Sequence, residues 1–301
     1  MKILLLGKNG QVGWELQRSL SPIGELVALD RLGTPELTGD IANFNGLRHT
    51  LEKTRPDIIV NAAAYTSVDM AETDQKQAVR VNGIAPGIIA EHAKETGAIL
   101  VHYSTDYVFN GKNDTPWRET DNPEPINYYG YSKLSGEKAV ITSGCNYLIF
   151  RVSWVYSTLG NNFLSSMERL IKYNDRLDVV NDQKGAPTSA ELVADISAIC
   201  INRSAANKSL CGLYHLSADG ETNWHEYAQT ISQWLQENGL SIKATPDFIK
   251  PIPTSQYKTT AVRPLYSCLN TSHLRKTFGV RCPSWKLGVF RALTERNYKH
   301  L

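Results

Sequence analysis

Residues 2–20 read KILLLGKNGQVGWELQRSL, and this stretch decides the fold that we predict. Mostly apolar residues form a buried strand, glycines follow at Gly7, Gly10 and Gly13, and helical spacing begins at Trp14. Glycines at such positions permit a tight turn, a close approach of the backbone to a pyrophosphate, and close packing of helix on strand. The N-terminus of the helix offers its unpaired N–H groups to the same anion. Between a strand and a helix, this spacing indicates a dinucleotide-binding unit.

The rest of the chain alternates predicted strands with predicted helices. We predict strands at 26–29, 57–61, 98–103, 147–156, 177–180 and 212–216, and helices at 44–54, 75–96 with an interruption near Pro86, 190–201 and 224–238. This rhythm indicates a parallel sheet, whose ligands bind at the carboxyl ends of the strands. The expected fold is therefore α/β, a Rossmann-type doubly wound parallel sheet with a smaller C-terminal α/β substrate domain. We expect the dinucleotide-binding domain to comprise 1–157 and about 175–218, and the second domain about 158–174 and 219–301.

The second predicted strand ends in Asp30, at the usual distance for a carboxylate that accepts hydrogen bonds from the adenine ribose. That arrangement favours NADH. Arg31 follows immediately and would pair with the 2′-phosphate of NADPH. These two residues leave the choice between NADH and NADPH open, and we expect both to bind.

A phenol and an ammonium lie four residues apart at Tyr129 and Lys133, so on a helix they share one face. A fixed positive charge nearby favours the phenolate and lowers the pKa of a tyrosine from about 10. A tyrosine shifted in this way exchanges protons near neutral pH. The adjacent Tyr128 and Tyr131 have serines at the same spacing. The pair therefore predicts a proton donor, although a surface tyrosine beside a solvated lysine would show the same spacing.

Thr105 follows the predicted strand 98–103, at the carboxyl edge of the sheet. Its hydroxyl is placed to hydrogen-bond a substrate oxygen that Tyr129 also reaches, although a threonine that caps a turn has the same pattern. Residues 110–127, between the two, are rich in Pro, Asp, Asn and Gly. They predict an irregular loop that borders a site.

The composition limits the class of partner. The 301 residues carry 32 Lys and Arg against 30 Asp and Glu, a formal net charge of +2, without a block of like charges. This balance favours neither nucleic acid nor a membrane surface, so we expect a small-molecule partner. Five widely spaced cysteines form no CxxC pair, which argues against a disulfide framework or a zinc site and suggests a reducing, cytoplasmic setting. No run of about twenty apolar residues predicts a membrane span.

The glycine turn, Thr105, Tyr129 and Lys133 occur in the order and rough spacing of the extended short-chain dehydrogenases/reductases, which the chain resembles over essentially its whole length. Four segments are similar to the dTDP-4-dehydrorhamnose reductase family: STDYVF at 104–109, RVSWVY at 151–156, NNF at 161–163 and DQKGAPT at 182–188. The resemblance implies NAD(P)H-dependent reduction of a dTDP-sugar, dTDP-4-dehydro-L-rhamnose. The product would serve bacterial surface polysaccharide, including O-antigen.

The resemblance also implies residue roles. Tyr129 would be the proton donor, Lys133 its partner and the anchor of the cofactor ribose, and Thr105 the donor to the substrate oxygen. Further implied substrate contacts are Ser104, Trp154, whose indole would form a wall against the sugar, and Arg263, which would bind the pyrophosphate. An ordinary surface arginine would give the same pattern as Arg263. The implied cofactor contacts are Gly7, Gly10, Gln11, Val12, Gly13, Asp30, Arg31, Asp40, Ile41, Ala63, Ala64 and Tyr65, together with Tyr129 and Lys133.

Some members of that family are dimers that gather glutamates around Mg²⁺ at the interface. Glu15, Glu191 and Glu295 occupy matching positions here. Carboxylate oxygens suit this hard cation, although three scattered, solvated glutamates would look the same. A homodimer with a structural Mg²⁺ is therefore an expectation that comes from the resemblance.

Two other functions remain open. A nucleotide-sugar dehydratase or epimerase of the same superfamily would start from tightly held NAD⁺. Dehydratases of this type tend to carry an acid pair after the threonine, and here Asp106 is followed by Tyr107. A non-catalytic NAD(P)-binding regulatory subunit would be free to lose Thr105, Tyr129 and Lys133, all of which are present.

Overall fold

The computed structural model of the chain describes residues 1–298. Its strands are β1 (Lys2–Leu6), β2 (Glu25–Leu29), β3 (Ile58–Asn61), β4 (Ile99–Thr105), β5 (Asn146–Val152), β6 (Val155–Tyr156), β7 (Leu177–Val180), β8 (Lys184–Gly185), β9 (Thr188–Ser189), β10 (Gly212–Leu216), β11 (Thr222–Asn223) and β12 (Ile249–Ile252). Its α-helices are α1 (Gln11–Leu20), α2 (Phe44–Thr54), α3 (Val68–Ala71), α4 (Gln75–Val79), α5 (Ala85–Thr96), α6 (Tyr128–Ser143), α7 (Phe163–Tyr173), α8 (Ala190–Ala206), α9 (Trp224–Glu237), α10 (Ser272–Phe278) and α11 (Trp285–Asn297). Within residues 1–298, no helix has the length and apolar character needed to span a bilayer.

Six strands form one parallel sheet in the order β10-β5-β4-β3-β1-β2. Strand β1 pairs with β2 on one side and with β3 on the other, so the winding of the chain reverses at β1. In sheets of this kind, ligands bind beyond the carboxyl ends of the strands where the winding reverses. Leu6, the last residue of β1, lies level with Leu29 and Asn61, and the glycine turn therefore starts at that edge. The predicted doubly wound fold is confirmed.

Helices cover both faces of this sheet because its strands are apolar on both sides. Leu16 of α1 and Val193 of α8 are fully buried against one face. Leu47 of α2 and Ile89 of α5 are fully buried against the other. Burying one such side chain contributes about 1.5–3 kcal/mol, so the two apolar layers hold the carboxyl edge of the sheet in place.

A second apolar core lies outside the six-stranded sheet, and Tyr227 and Ile231 of α9 are fully buried in it. Strand β7 pairs in parallel with β12 beside this core, whereas the predicted range 175–218 grouped β7 with the main sheet. An apolar run predicts a strand without predicting its partner. We therefore propose that β7 belongs to the second domain. The predicted range 219–301 of that domain extends three residues beyond the described residues.

The predicted helix 75–96 is interrupted by a π-helical turn, Arg80–Ile84, which joins α4 to α5. Pro86 lies in the first turn of α5, where a missing N–H costs least. The π turn buries Asn82, whose side chain accepts a hydrogen bond from the Tyr65 amide and donates to the Tyr65 carbonyl, both at 2.9 Å. The Asn82 amide also lies 2.9 Å from the Ser132 hydroxyl. Asn82 of the irregular turn thus connects the loop after β3 to helix α6.

The predicted strand 147–156 is broken near its carboxyl end. Strand β5 ends at Val152 and β6 starts at Val155. Between them, Trp154 has a φ of 45°, in the left-handed region that residues other than glycine rarely adopt. Apolar patterning does not reveal such a break, and its effect is to turn the chain at the sheet edge where ligands bind.

Candidate active site

A cleft of about 650 Å³ lies along the carboxyl edge of the sheet. The predicted residues that line it are Gly7, Gly10, Gln11, Val12, Asp30, Arg31, Asp40, Ile41, Ala63, Ala64, Tyr65, Ser104, Tyr129 and Lys133. The sequence did not single out Tyr103 and Val152, which also line it. The signal for Tyr103 was available, because it ends the predicted strand 98–103, whereas Val152 lies inside the predicted strand 147–156 and ends a strand only in the structure.

The glycine turn forms one wall of this cleft because no side chain fits there. Gly7 has a φ of 89°, and a Cβ on it would lie 2.7 Å from the Ala63 amide nitrogen. A Cβ on Gly13 would overlap the Gly7 carbonyl, so Gly13 packs helix on strand and does not line the cleft. Gly10 precedes α1 and provides no side-chain cap for its amides. This backbone cradle at a helix N-terminus fits a dinucleotide pyrophosphate.

Asp30 lies at the far end of the cleft, where its carboxylate accepts hydrogen bonds from the Leu32 and Gly33 amides, each at 3.0 Å. The Gly33 hydrogen bond is the main reason why the pKa of Asp30 is lower than usual. Two cations flank this carboxylate: Lys8 Nζ lies 3.8 Å from it, and Arg31 follows it in the chain with its side chain 81% exposed. This end therefore presents an acceptor for a ribose hydroxyl and cations for a phosphate side by side.

Helix α6 brings Tyr129 and Lys133 to the middle of the cleft. Asn127 caps the helix, with its side-chain oxygen accepting from the Gly130 amide at 2.8 Å. A Cβ on Gly130 would overlap the Tyr107 carbonyl, so glycine at this position lets α6 approach the end of β4. Lys133 is buried, and its Nζ donates to the Tyr103 carbonyl of β4 at 2.5 Å.

Burial changes the acidity of both side chains. The pKa of Tyr129 is raised to about 12, chiefly by burial, while a hydrogen bond with Thr105 lowers it and the charge of Asp106 raises it. Burial lowers the pKa of Lys133 to about 8, and the charge of Glu137 opposes that shift. The sequence predicted a lowered pKa for Tyr129, and this prediction was wrong for the structure. The reason is that loss of hydration is the largest influence on the phenol, while the Lys133 ammonium donates to the Tyr103 carbonyl and is not among the groups that shift the pKa of Tyr129.

Thr105, the last residue of β4, sits behind the cleft next to Tyr129. Its hydroxyl donates to Asp106 Oδ1 at 3.0 Å and accepts from the Tyr107 amide at 3.1 Å. Its proton is therefore held by Asp106 in this state rather than directed at the cleft. Ser104, one residue earlier, is buried at the cleft with no hydrogen-bond partner for its hydroxyl. An unpaired hydroxyl there fits a ligand contact.

The indole of Trp154 stacks on Trp224 of α9, with ring centroids 3.5 Å apart and planes 5° apart. Gly185 lies against the same indole, where a Cβ would overlap the ring. The structure thus places Trp154 between the sheet edge and the second core, and not in the lining of the cleft. A tryptophan wall for a sugar was predicted at this residue, and that role stays a prediction.

Arg263 does not line the cleft either. Its Nη1 and Nη2 donate to the two carboxylate oxygens of Asp69 on α3 at 2.7 and 2.6 Å. The guanidinium lowers the pKa of Asp69 to about 2. The Arg263 charge also acts to lower the pKa of Tyr107, whose ring packs edge-on against Tyr129. The arginine thus links a C-terminal segment to the surroundings of Tyr129.

Glu15, Glu191 and Glu295, predicted from the family resemblance as metal ligands, line one cavity of about 220 Å³. Arginines already neutralise them: Arg18 lies 3.5 Å from Glu15, and Arg291 lies 2.9 Å from Glu191 and 3.2 Å from Glu295. In the described part of the chain, no group of three or more His, Cys, Asp or Glu side chains is arranged to hold a metal ion. Within one chain these residues therefore do not fit Mg²⁺, and a site shared by two subunits stays a prediction.

Comparison with known proteins identifies close relatives. The family model described as the RmlD substrate binding domain matches residues 1–297. A dTDP-4-dehydrorhamnose reductase of Salmonella typhimurium is 50% identical over 295 residues, which cover 98% of each chain. The spore coat polysaccharide biosynthesis protein SpsK of Bacillus subtilis is 36% identical over 98% of each chain. A crystal structure of dTDP-4-dehydrorhamnose reductase from Bacillus anthracis in complex with NADP superposes with a TM-score of 0.86 at 35% identity, covering 98% of this chain and 99% of that one.

Proposed function

Because this chain belongs to the dTDP-4-dehydrorhamnose reductase family, we propose that it reduces the 4-keto group of dTDP-4-dehydro-L-rhamnose to give dTDP-L-rhamnose. NADH or NADPH is the reductant. The observation that carries this proposal is that Tyr129 and Lys133 line the same cleft as the glycine turn. A proton donor and a hydride carrier must meet at one carbonyl, and this cleft is where they would do so.

The bound nicotinamide supplies a hydride to the keto carbon when the cofactor occupies the cleft. Tyr129 donates a proton to the keto oxygen, so the carbonyl becomes a hydroxyl and the phenol becomes a phenolate. The high pKa of Tyr129, about 12, keeps the phenol fully protonated at neutral pH, which is the form that a reduction consumes. Positioned proton transfer of this kind contributes about 10²–10⁴ in rate.

Lys133 supports this step with its charge. With a pKa of about 8, its ammonium is mostly protonated at pH 7, and we assign to it the balancing of the phenolate that forms on Tyr129 in the same cleft. Its Nζ already donates to the Tyr103 carbonyl, which fixes the side chain in the cleft and leaves its other protons for a cofactor ribose hydroxyl. Ribose binding and charge compensation are thus assigned to one residue.

The substrate occupies the cleft beyond Tyr129, near Ser104 and Thr105. Arg263 is the proposed contact for the pyrophosphate, and it exchanges Asp69 for that dianion, because a guanidinium binds both groups in the same bidentate way. Trp154 borders the sugar once its stack with Trp224 opens. The name of the relative SpsK supports a role in surface polysaccharide, and we extend the proposal to rhamnose supply for O-antigen.

The decisive assay follows the oxidation of NADH or NADPH in the presence of dTDP-4-dehydro-L-rhamnose and, in parallel, of its UDP counterpart. We expect turnover with the dTDP-sugar, and loss of turnover in Tyr129→Phe with cofactor binding unchanged. Tyr131→Phe is the matched control, because Tyr131 is on the same helix but 54% exposed. Absence of turnover in the wild type with either sugar would refute the proposed activity. Firmly retained NAD⁺ in the purified protein would favour the dehydratase or epimerase.

A further inference from the structure

Helix α3 contacts the N-terminal part of α6, where Tyr129 is the second residue. Glu72 directly follows α3, and its Oε1 accepts a hydrogen bond from the Tyr128 amide at 2.8 Å. That amide belongs to the first turn of α6, whose N–H groups have no partner within the helix. The contact joins residues 56 positions apart. It therefore fixes the backbone directly before Tyr129.

A second side chain supports the same turn, but it depends on the segment that carries Arg263. Asn127 Oδ1 accepts from the Gly130 amide at 2.8 Å, and Asn127 Nδ2 donates to the Val262 carbonyl at 2.8 Å. Arg263, the next residue, pairs with Asp69 in the structure and exchanges it for the pyrophosphate in the proposed reaction. A movement of Arg263 towards a substrate would therefore reach Asn127 through Val262.

Glu72 is held in place without the Arg263 segment. Ala71, the residue before it, is fully buried and anchors α3. The Glu72 amide donates to the Asp69 backbone carbonyl at 3.3 Å, and this contact does not involve the Asp69 side chain. Helix α3 also follows Tyr65 and Thr66, which line the cofactor cleft. Glu72 thus connects α6 to the wall of the cofactor cleft, and an exchange of partners at the Asp69 carboxylate leaves that connection intact.

We propose that Glu72 is a positioning residue, whose carboxylate holds the first turn of α6, and with it the Tyr129 phenol, while Arg263 changes its partner from Asp69 to the substrate. This inference rests on the reductase activity proposed above and deepens it. A displacement of about 1 Å in a reacting group can lower a rate about 100-fold. Support of the backbone next to Tyr129 therefore acts on the chemical step and not on the binding of cofactor or sugar.

The test compares two variants by steady-state kinetics with NADH and by a fluorescence titration of NADH. Glu72→Ala removes the acceptor, whereas Glu72→Gln retains an oxygen that accepts from the Tyr128 amide. We expect kcat to fall about 10- to 100-fold in Glu72→Ala, with the KM for the dTDP-sugar within about twofold of the wild type. The affinity for NADH should not change, because Glu72 does not line the cleft. Glu72→Gln is expected to keep kcat within about threefold of the wild type, because the hydrogen bond is retained.

Asp57→Ala is the matched control, because Asp57 Oδ2 accepts a hydrogen bond from the Lys2 amide at 2.7 Å across 55 positions. This contact is of the same kind, but it lies at the amino ends of β1 and β3, opposite to the cleft. We expect Asp57→Ala to keep the wild-type kcat even if its midpoint of thermal unfolding falls as far as that of Glu72→Ala. An unchanged kcat in Glu72→Ala, or a Glu72→Gln or Asp57→Ala variant as slow as Glu72→Ala, would overturn the inference.

A wild type without turnover would count against the proposed reaction, and NMR would then decide the role of Glu72. Glu72→Ala should speed hydrogen exchange at the Tyr128 amide and shift the ring signals of Tyr129, because both depend on the first turn of α6. Glu72→Gln should leave both as they are in the wild type. Ring signals of Tyr129 that do not move in Glu72→Ala would refute the positioning role.

Discussion

The buried ion pair behind the active-site helix gives a quantitative test of the structure. Glu137 of α6 and Arg151 of β5 lie 2.7 Å apart with side chains only 1% and 3% exposed. The pair is bidentate, because Arg151 Nε also donates to Glu137 at 2.9 Å. His215 lies 3.4 Å from the same guanidinium, and burial together with the Arg151 charge lowers the pKa of that imidazole to about 3. Glu137 is therefore the side chain that balances the buried charge of Arg151.

Glu137→Leu is expected to reduce the free energy of unfolding by about 3–5 kcal/mol, because it leaves the buried guanidinium uncompensated. About 3 kcal/mol corresponds to a change of roughly 150-fold in the ratio of folded to unfolded protein. Arg151→Met should cost a similar amount. The double variant, Glu137→Leu with Arg151→Met, should be close to the wild type, because no charge remains to be solvated. The three variants therefore form a double-mutant cycle with a coupling of about 6 kcal/mol or more, the sum of the two single losses.

The measurement is urea unfolding of the three variants beside a control in which an exposed pair is broken. Asp178→Asn is that control, since Arg176 and Asp178 lie 2.9 Å apart with side chains 64% and 47% exposed, and such pairs contribute about 0–1 kcal/mol. Single variants that lose less than about 1 kcal/mol, or a double variant that loses the sum of both, would refute the reasoning from burial. The cycle also has a functional readout, because the Glu137 charge raises the pKa of Lys133.

Three further outcomes follow from the cleft. The value of kcat/KM should fall as the pH rises through about 8, because Lys133 then loses the charge proposed to balance the phenolate, and a profile flat to pH 9.5 would contradict this. Arg31→Ala should raise the KM for NADPH about tenfold and leave that for NADH within about twofold, as steady-state kinetics with each cofactor will show. Gly13→Ala should abolish cofactor binding in a fluorescence titration, since its Cβ would overlap the Gly7 carbonyl, whereas Gly212→Ala, whose Cβ would meet nothing closer than 3.6 Å, should bind normally.

The sequence predicted well what depends on local pattern. The strand, turn and helix at residues 2–20 predicted the position of the cleft, because a glycine turn between a parallel strand and a helix has few other uses. The four-residue spacing of Tyr129 and Lys133 placed both side chains in that cleft, because a helix fixes which residues share a face. The predicted strand 98–103 stopped two residues short of the end of β4, but it still placed Thr105 at the carboxyl edge of the sheet.

Partners distant in sequence were not predictable in the same way. The pairing of β7 with β12, the stack of Trp154 on Trp224, and the pairing of Arg263 with Asp69 each join segments 70 or more residues apart. The type of a residue does not predict its partner in such a contact, since a tryptophan or an arginine has many possible neighbours. Trp154 and Arg263 were predicted to contact the substrate, but in the structure Trp154 stacks on Trp224 and Arg263 pairs with Asp69.

The pKa of Tyr129 is a second property that the sequence did not predict correctly, and its actual direction bears on the proposed reaction. Spacing reveals that a cation is near but not how much water is excluded, and helix α6 excludes enough water to move both side chains toward their neutral forms, with the pKa of the phenol rising and that of the ammonium falling. A lowered pKa would suit a tyrosine that removes a proton from an alcohol. A raised one suits the reverse reaction, because the phenol then remains protonated until an alkoxide forms beside it and pulls the proton away. The sign of the shift, which the sequence missed, thus favours reduction as the direction of the proposed chemistry.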